Sequence, residues 1–232
     1  MELTKRQQEI LALVGERHFT SIAELAAAVF TSEATVRREV QKLEALGCLS
    51  SVYGGVVARE YQKESVPITL RYGENAAKKE QIAAKAAALV KNNSTIIMDS
   101  SSTVERMCKH LKERVGLVVV TNNLRVCEEL KDSGVRVVCT GGTLLPKHDC
   151  FVGAFAEDFI RRINADMLFF SAQGLSDAGE ITDASEEEIS LRRVMFERSR
   201  AQYFLCDTSK IGKSFAFTLC HQSKITDTIS DT

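Results

Sequence analysis

No CxxC pair occurs among the seven cysteines, Cys48, Cys108, Cys127, Cys139, Cys150, Cys206 and Cys220. Their number is odd, their spacings are wide, and several sit inside apolar runs such as VVCTG and FLCD. That excludes a disulfide framework and implies reduced core thiols in a cytoplasmic protein. His148, Asp149 and Cys150 are adjacent, but three sequence neighbours rarely converge on one ion. They read as a loop, and neither a metal nor another cofactor is expected. No uninterrupted apolar stretch approaches membrane-spanning length. The N-terminal MELTKRQQEI has no apolar core, so nothing suggests secretion. Charge of one sign is also missing: the net charge is −1, which argues against a general polyanion binder but allows a local basic surface. Nothing resembles a phosphate-binding Walker motif, a Ser-His-Asp set or a dinucleotide fingerprint. The 232 residues are 44% apolar and 26% charged, an ordinary composition with material for one or two domains.

The first sixty residues are rich in helix punctuation. Thr4 is followed three residues later by Gln7, and Ser21 by Glu24, each a capping-box pattern. Apolar spacing then predicts helices over residues 5–17 and 22–29, with a turn at Phe30-Thr31. A third helix is expected over 32–47. Ser32 supplies its N-cap, and Gly47 can take the left-handed conformation that ends a helix. Val36, Val40 and Leu43 form its buried face. The opposite face carries Ala34, Arg38, Gln41 and Ala45, flanked by Thr35, Arg37 and Lys42. Arg and Gln make paired hydrogen bonds to guanine and adenine edges, and small residues allow close approach. On this reading Arg38 and Gln41 reach bases, while Thr35, Arg37 and Lys42 hold phosphate or the groove edge. The bland alternative is a surface helix with two ordinary arginines. Two short helices joined by a tight turn, the second with a polar outer face, make a helix-turn-helix. The following CLSSVYGGVVA reads as a two-stranded hairpin, hence a wing.

TVRREVQKLEALG followed by YGGV resembles the N-terminal domain of the DeoR family of bacterial transcription regulators, over about residues 4–57. The resemblance implies a winged helix-turn-helix that contacts DNA through Ser32, Ala34, Thr35, Arg37, Arg38, Gln41 and Lys42, and through the wing tip at Tyr53 and Gly54. There are two departures. Ser50-Ser51 stands where the family places a basic pair, and Tyr53 stands where His is usual. Residues 1–59 carry seven Lys/Arg against seven Glu, so weaker non-specific DNA affinity than is usual for the family is expected.

Residues 60–75 are polar and without helical periodicity, and Val66 is pushed toward an extended conformation by Pro67. They mark a domain boundary, leaving residues 1–59 as the DNA-binding domain and 76–232 as a second domain. From Ala76 helical stretches alternate with short β-branched runs. Strands are expected at 95–99, 117–121, 135–140, 166–172 and 202–207, with helices between, including 103–114 and 151–163. Such alternation gives a mostly parallel α/β sheet covered on both faces.

Ligands bind beyond the carboxyl ends of such strands. The residues there are Asp99, Ser100, Ser101, Ser102 and Thr103; Thr121 and Asn122; Thr140 with Gly141 and Gly142; Gln173 and Gly174; and Asp207 with Lys210. Hydroxyls, glycines, a helix start and a lysine together suit a small polyhydroxylated anion such as a phosphorylated sugar. The plain alternative is that such residues simply terminate strands and cap helices. Residues 76–231 resemble the DeoR family's C-terminal domain at D-x-G-[ST]-T, T-N, G-G and D-x-S-K-x-G, matched here by 99–103, 121–122, 141–142 and 207–212. That resemblance implies a ribose-phosphate-isomerase-like fold sensing phosphorylated sugars or related metabolites. Ser101 replaces the preferred Gly and cannot take a positive φ cheaply. Asp99, Asp183 and Glu186 to Glu188 could supply acid/base chemistry, although the three glutamates suit a helix start.

The sequence therefore predicts a cytoplasmic repressor. Its partners are double-stranded operator DNA and a phosphorylated sugar or similar small anionic effector, and it assembles as a homodimer or homotetramer away from membranes. Two other readings stand beside it: a sugar-phosphate isomerase-like enzyme with an accessory DNA-binding domain, and a regulator whose pocket is vestigial.

Overall fold

A computed structural model describes residues 3–17, 19–46, 48–52, 55–58 and 68–232. The chain divides into two units, Met1–Gly73 and Glu74–Thr232. In the first, helix α1 (Lys5–Arg17) starts at the expected capping box: the Gln7 N–H donates to Thr4 Oγ1 at 3.3 Å and the Thr4 N–H to Gln7 Oε1 at 2.9 Å. A short strand β1 (Phe19–Ser21) leads into α2 (Ile22–Ala28), capped by the Ser21–Glu24 box. Helix α3 (Glu33–Ala45) follows Ser32, whose hydroxyl accepts the Thr35 N–H. Its far end is closed by the Cys48 N–H donating to Leu43 O at 2.9 Å. Gly47 lies outside the described residues. Ile10, Val14, Leu25, Val36 and Leu43 are buried together between the helices. At about 1.5–3 kcal/mol for each large apolar side chain, that packing rather than intrinsic helix propensity holds three short helices.

Strands β2 (Leu49–Val52) and β3 (Gly55–Ala58) form the wing, with Val52 opposite Gly55. The proposed wing-tip contacts Tyr53 and Gly54 lie outside the described residues. β1 pairs antiparallel with β3 and completes a three-stranded sheet. Three residues are too few for alternation to show in sequence, so only the hairpin is legible there. Helix α4 (Ile68–Gly73) occupies part of the stretch read as an aperiodic linker. Six residues are under two turns, too short to display a helical period, yet Ile68 is buried.

The second unit contains, in order, α5 (Ala76–Ala88), β4 (Thr95–Met98), α6 (Ser102–Glu105), α7 (Cys108–Leu111), β5 (Val118–Thr121), α8 (Leu124–Leu130) and β6 (Arg136–Cys139). It continues with β7 (Thr143–Leu145), β8 (Cys150–Val152), α9 (Ala154–Arg161), β9 (Ala165–Phe170), β10 (Gly174–Leu175), β11 (Glu180–Asp183) and α10 (Glu186–Glu197). It closes with β12 (Ser199–Cys206), β13 (Phe217–His221) and β14 (Asp227–Ser230). Six strands form a wholly parallel sheet in the order β14-β12-β9-β4-β5-β6. Alternate residues feed two cores. Ile96, Met98, Val119 and Phe169 pack on one face, and Ile97, Val120, Leu168 and Phe170 on the other. Helices therefore cover both faces, as parallel sheets require.

Two helix expectations need correction. The helix predicted over 103–114 is two single turns, α6 and α7, because the Met107 N–H bonds Val104 O in a tighter i to i−3 link. Residues 151–163 begin as strand β8, which pairs with β7 as a hairpin, before α9 starts after Gly153. The small antiparallel sheet β10-β11-β13 and the edge strand β14 add elements that the sequence pattern does not show. Among the described residues no helix is long and apolar enough to cross a membrane.

Candidate functional site

Helix α3 presents two different faces. Val36, Val40 and Leu43 are buried, whereas Ala34, Arg37, Arg38, Gln41 and Lys42 are exposed and Thr35 is half-buried. The basic residues are not equivalent. Arg37 is bridged to Glu33 at 3.2 Å and Lys42 to Glu39 at 3.1 Å. Arg38 and Gln41 make no side-chain hydrogen bond among the described residues, so the two groups suited to base edges are uncommitted. The wing is tied to this helix by Glu44, which accepts the Ser51 N–H and the Ser51 hydroxyl, each at 2.8 Å. Those bonds hold the Glu44 carboxyl below its ordinary pKa. Ser51, in place of a basic residue, thus anchors wing to helix.

In the second unit, the sheet reverses direction of winding between β4 and β9, the switch point where parallel sheets open a crevice. Asp99 sits there. Its carboxylate accepts the Ser101 N–H at 3.0 Å, the Ser171 N–H at 3.1 Å and Arg192 Nε at 3.0 Å. Ser101 has φ −78° and caps α6 by accepting the Val104 N–H, so this loop needs no glycine. With α6 a single turn, its dipole is slight, and the positive potential comes from side chains. Buried Lys79 donates to Ser102 Oγ at 3.2 Å. Lys210 donates to Ser171 Oγ at 2.6 Å and lies 3.9 Å from Asp207. Lys78 donates to Thr208 Oγ1 at 2.5 Å and pairs with Asp231 at 3.0 Å.

The remaining strand-end residues lie as follows. Thr121 is spent on the backbone: its hydroxyl donates to Met98 O at 2.7 Å. Asn122 Nδ2 donates to Phe151 O at 2.9 Å. Gly141 and Gly142 have φ +63° and +117°, and a Cβ on Gly142 would lie 2.6 Å from Val152 O, so glycine is required. Gly174 is buried, and a Cβ there would meet Lys213 O at 2.4 Å. Gln173 before it is half-buried. Four polar atoms, Thr103 Oγ1, Asn122 Oδ1, Asn123 Nδ2 and Asp207 Oδ2, are buried without a hydrogen-bond partner among the described residues. All four follow the carboxyl ends of sheet strands. Each such group costs about 1–3 kcal/mol unless something pairs with it.

Beside this crevice is a buried ionic cluster that sequence reasoning did not assemble. Arg192 bonds Asp99 and Asp183 and lies 3.6 Å from Glu188. Burial disfavours its charge, but the three carboxylates outweigh that and raise its pKa. Glu188 starts α10 as expected, with its N–H donating to Ser185 Oγ, and it also accepts the Ser100 hydroxyl at 2.8 Å and pairs with His148 Nδ1 at 2.5 Å. Sequence reasoning also passed over Lys79, Ser171 and Arg192 as site residues. The spacing of Lys79 from Ile82, Ala83 and Ala86, which puts it on the apolar face of α5, is the one sequence signal that marks it.

Residues 6–62 match the DeoR-like helix-turn-helix domain and residues 74–232 the DeoR C terminal sensor domain. The chain is 33% identical to the HTH-type transcriptional regulator GolR of Listeria innocua serovar 6a, over 90% of this chain and 82% of that protein. It is 32% identical to the L-fucose operon activator of Haemophilus influenzae, over 97% and 91%. It is 31% identical to the transcriptional repressor AccR of Agrobacterium fabrum, over 90% and 82%. Among solved structures, its fold is similar to the translation initiation factor eIF-2B of Pyrococcus horikoshii OT3, with 18% identity, TM-score 0.50 and coverage of 99% and 96%. Ribose 5-phosphate isomerase A of Methanocaldococcus jannaschii aligns with 14% identity and TM-score 0.45, over 60% of this chain and 55% of that one. With a helix-turn-helix unit and a parallel α/β sensor domain both in place, the chain belongs to the DeoR family of transcriptional regulators.

Proposed function

We propose that this protein is a repressor whose operator affinity falls when a phosphorylated sugar occupies the crevice at the β4/β9 switch point. Residues 1–59 bind DNA through α3 and the wing, and residues 76–232 sense the effector and pair the subunits. The observation that carries this reading is that Thr103 Oγ1, Asn122 Oδ1 and Asn123 Nδ2 are buried without a hydrogen-bond partner among the described residues, on the strand-end side of the sheet where Lys210 donates to Ser171 and Lys79 to Ser102. Asn122 Oδ1 is an acceptor that suits a sugar hydroxyl, and the ammonium groups suit a phosphate. Asp99 positions the loops around the ligand, its oxygens being already bonded. Repression follows the sign named for AccR; the relative named as an operon activator makes activation the second reading.

The competing isomerase reading needs a free acid/base carboxylate. Asp99 and Asp183 are held by Arg192, Glu188 by His148 and Ser100, and Asp207 by the Ser209 N–H and by Lys210 at 3.9 Å, while Glu186 and Glu187 are exposed at the start of α10, which favours sensing over turnover. A thermal-shift screen of phosphorylated sugars, run beside an isomerase assay on the same protein, tests the proposal. One sugar should raise the melting temperature, by an amount equivalent to about 2.7 kcal/mol at a hundredfold excess over Kd. Lys210→Ala should abolish the shift, and no sugar should be turned over. Turnover, or no shift with any phosphorylated sugar, would contradict it.

A further inference from the structure

His148 lies in the turn before β8 and Cys150 is the first residue of that strand. Asp149 between them has φ +50° and turns to Arg125, with Oδ2 3.2 Å from Nε. The three neighbours therefore do not converge, but the outer two do, and they meet a third group from a distant helix. His148, Cys150 and Glu188 are 6%, 0% and 3% exposed, and one ligand atom from each lies within 4.8 Å of the others. A tetrahedral zinc ion with bonds of about 2.0–2.3 Å spans donor atoms roughly 3.3–3.8 Å apart, so a small contraction brings the trio into place. The His148–Glu188 contact at 2.5 Å opens by less than an ångström, roughly, on the same bond lengths.

The surroundings are those of a metal site. The other oxygen of Glu188 is held by the Ser100 hydroxyl at 2.8 Å, with Arg192 3.6 Å away, which fixes the carboxylate's orientation. Asp99, Asp183 and Glu188 are three buried carboxylates that share the Arg192 guanidinium, and His148 meets Glu188 from the other side. Buried charges are stable when paired or bound to metal. Imidazole, thiolate and carboxylate together favour zinc over the hard cations, which prefer oxygen donors alone.

We propose that His148 Nδ1, Cys150 Sγ and a Glu188 carboxylate oxygen bind one Zn²⁺ ion, with the fourth position open to an exogenous ligand. The ion displaces the His148–Glu188 hydrogen bond and the Cys150 thiol hydrogen: the thiol proton leaves to solvent, and His148 binds as a neutral imidazole with its proton on Nε2. The site is joined to the crevice loops: the Phe151 N–H donates to Asn122 O at 2.8 Å, and Ser100 belongs to the loop after β4. The proposal stands or falls independently of the sugar-phosphate reading.

The test is Co²⁺ and Zn²⁺ titration of the full-length, reduced, metal-stripped chain. Cys127 and Cys139 share a thiol hydrogen bond and are a second place where metal could lodge, so the background is Cys127→Ser/Cys139→Ser. One equivalent of Co²⁺ should give a thiolate-to-cobalt charge-transfer band and strong tetrahedral d–d absorption, both displaced by Zn²⁺. Cys150→Ser should remove the charge-transfer band. His148→Gln, which can still hydrogen-bond Glu188, and Glu188→Gln should each weaken binding by about tenfold or more while the far-ultraviolet dichroism stays unchanged. Should Cys150→Ser not fold, His148→Gln carries the comparison. No band at one equivalent, a band that survives in Cys150→Ser, or undiminished affinity in folded His148→Gln would overturn the proposal.

Discussion

At the scale of single residues, α3 divides its basic side chains between two tasks. Arg38 and Gln41 make no side-chain hydrogen bond among the described residues, whereas Arg37 and Lys42 are in i,i+4 and i,i+3 pairs with Glu33 and Glu39. An exposed pair of this kind contributes under about 1 kcal/mol and is readily exchanged for a phosphate. Arg38→Ala should therefore flatten the preference for operator over random DNA by about 1–3 kcal/mol per half-site, whereas Arg37→Ala should weaken both alike. Fluorescence anisotropy with the two DNAs measures the ratio; full preference in Arg38→Ala would contradict the assignment. Asp231 gives a second prediction. Burial lifts its carboxyl, but the Lys78 ammonium and the Thr208 N–H and hydroxyl outweigh that and hold it at about 2. The folded value lies below the unfolded one of about 3.9. The stabilisation is thus fully present above about pH 4 and is lost as pH falls through 2. Asp231→Asn should melt below the wild type near neutral pH, and the gap should narrow steadily on acidification. A pH-independent gap would show that the ion pair is not its source.

At the scale of elements, the turn from β6 into the β7–β8 hairpin is built on glycine. Gly142 needs a positive φ and also has no room for a Cβ against Val152 O, whereas Gly141 has the same backbone demand in open space. Gly142→Ala should cost about 2–3 kcal/mol in urea unfolding and Gly141→Ala about 1 kcal/mol. Equal effects would mean that the close contact is relieved elsewhere. The same hairpin shows where sequence reasoning stops. The caps at Thr4, Ser21 and Ser32 and the alternation of β-branched runs were legible, because each depends on residues three or four apart. So were the strand-end loops at Asp99, Thr121, Gly141 and Asp207. The three-residue strands β1, β7 and β8 were not, because pairing across the chain rather than local pattern forms them. Glu188 was legible as a helix start, but its second role depends on Ser100 and His148, 88 and 40 residues away. Arg192 carried no signal either, since a helical arginine looks solvated until three carboxylates close around it.

At the scale of the whole molecule, the balance of seven basic and seven acidic residues over 1–59 limits how much phosphate the N-terminal unit neutralises. Operator binding should fall with salt on a log–log slope of roughly −2 per bound unit, from Arg37 and Lys42. A much steeper slope would place further cations on the DNA.

The central claim is that the crevice and the recognition helix are energetically linked. By linkage, a sugar phosphate that weakens operator binding must itself be bound more weakly by the operator complex, and by the same factor. The most direct measurement is operator affinity by anisotropy with and without a sugar phosphate identified by thermal shift, with the sugar's affinity then measured on free and operator-bound protein. The account predicts equal and reciprocal changes of about 5–150-fold, absent in Lys210→Ala. An operator affinity unchanged by a bound sugar phosphate would contradict it.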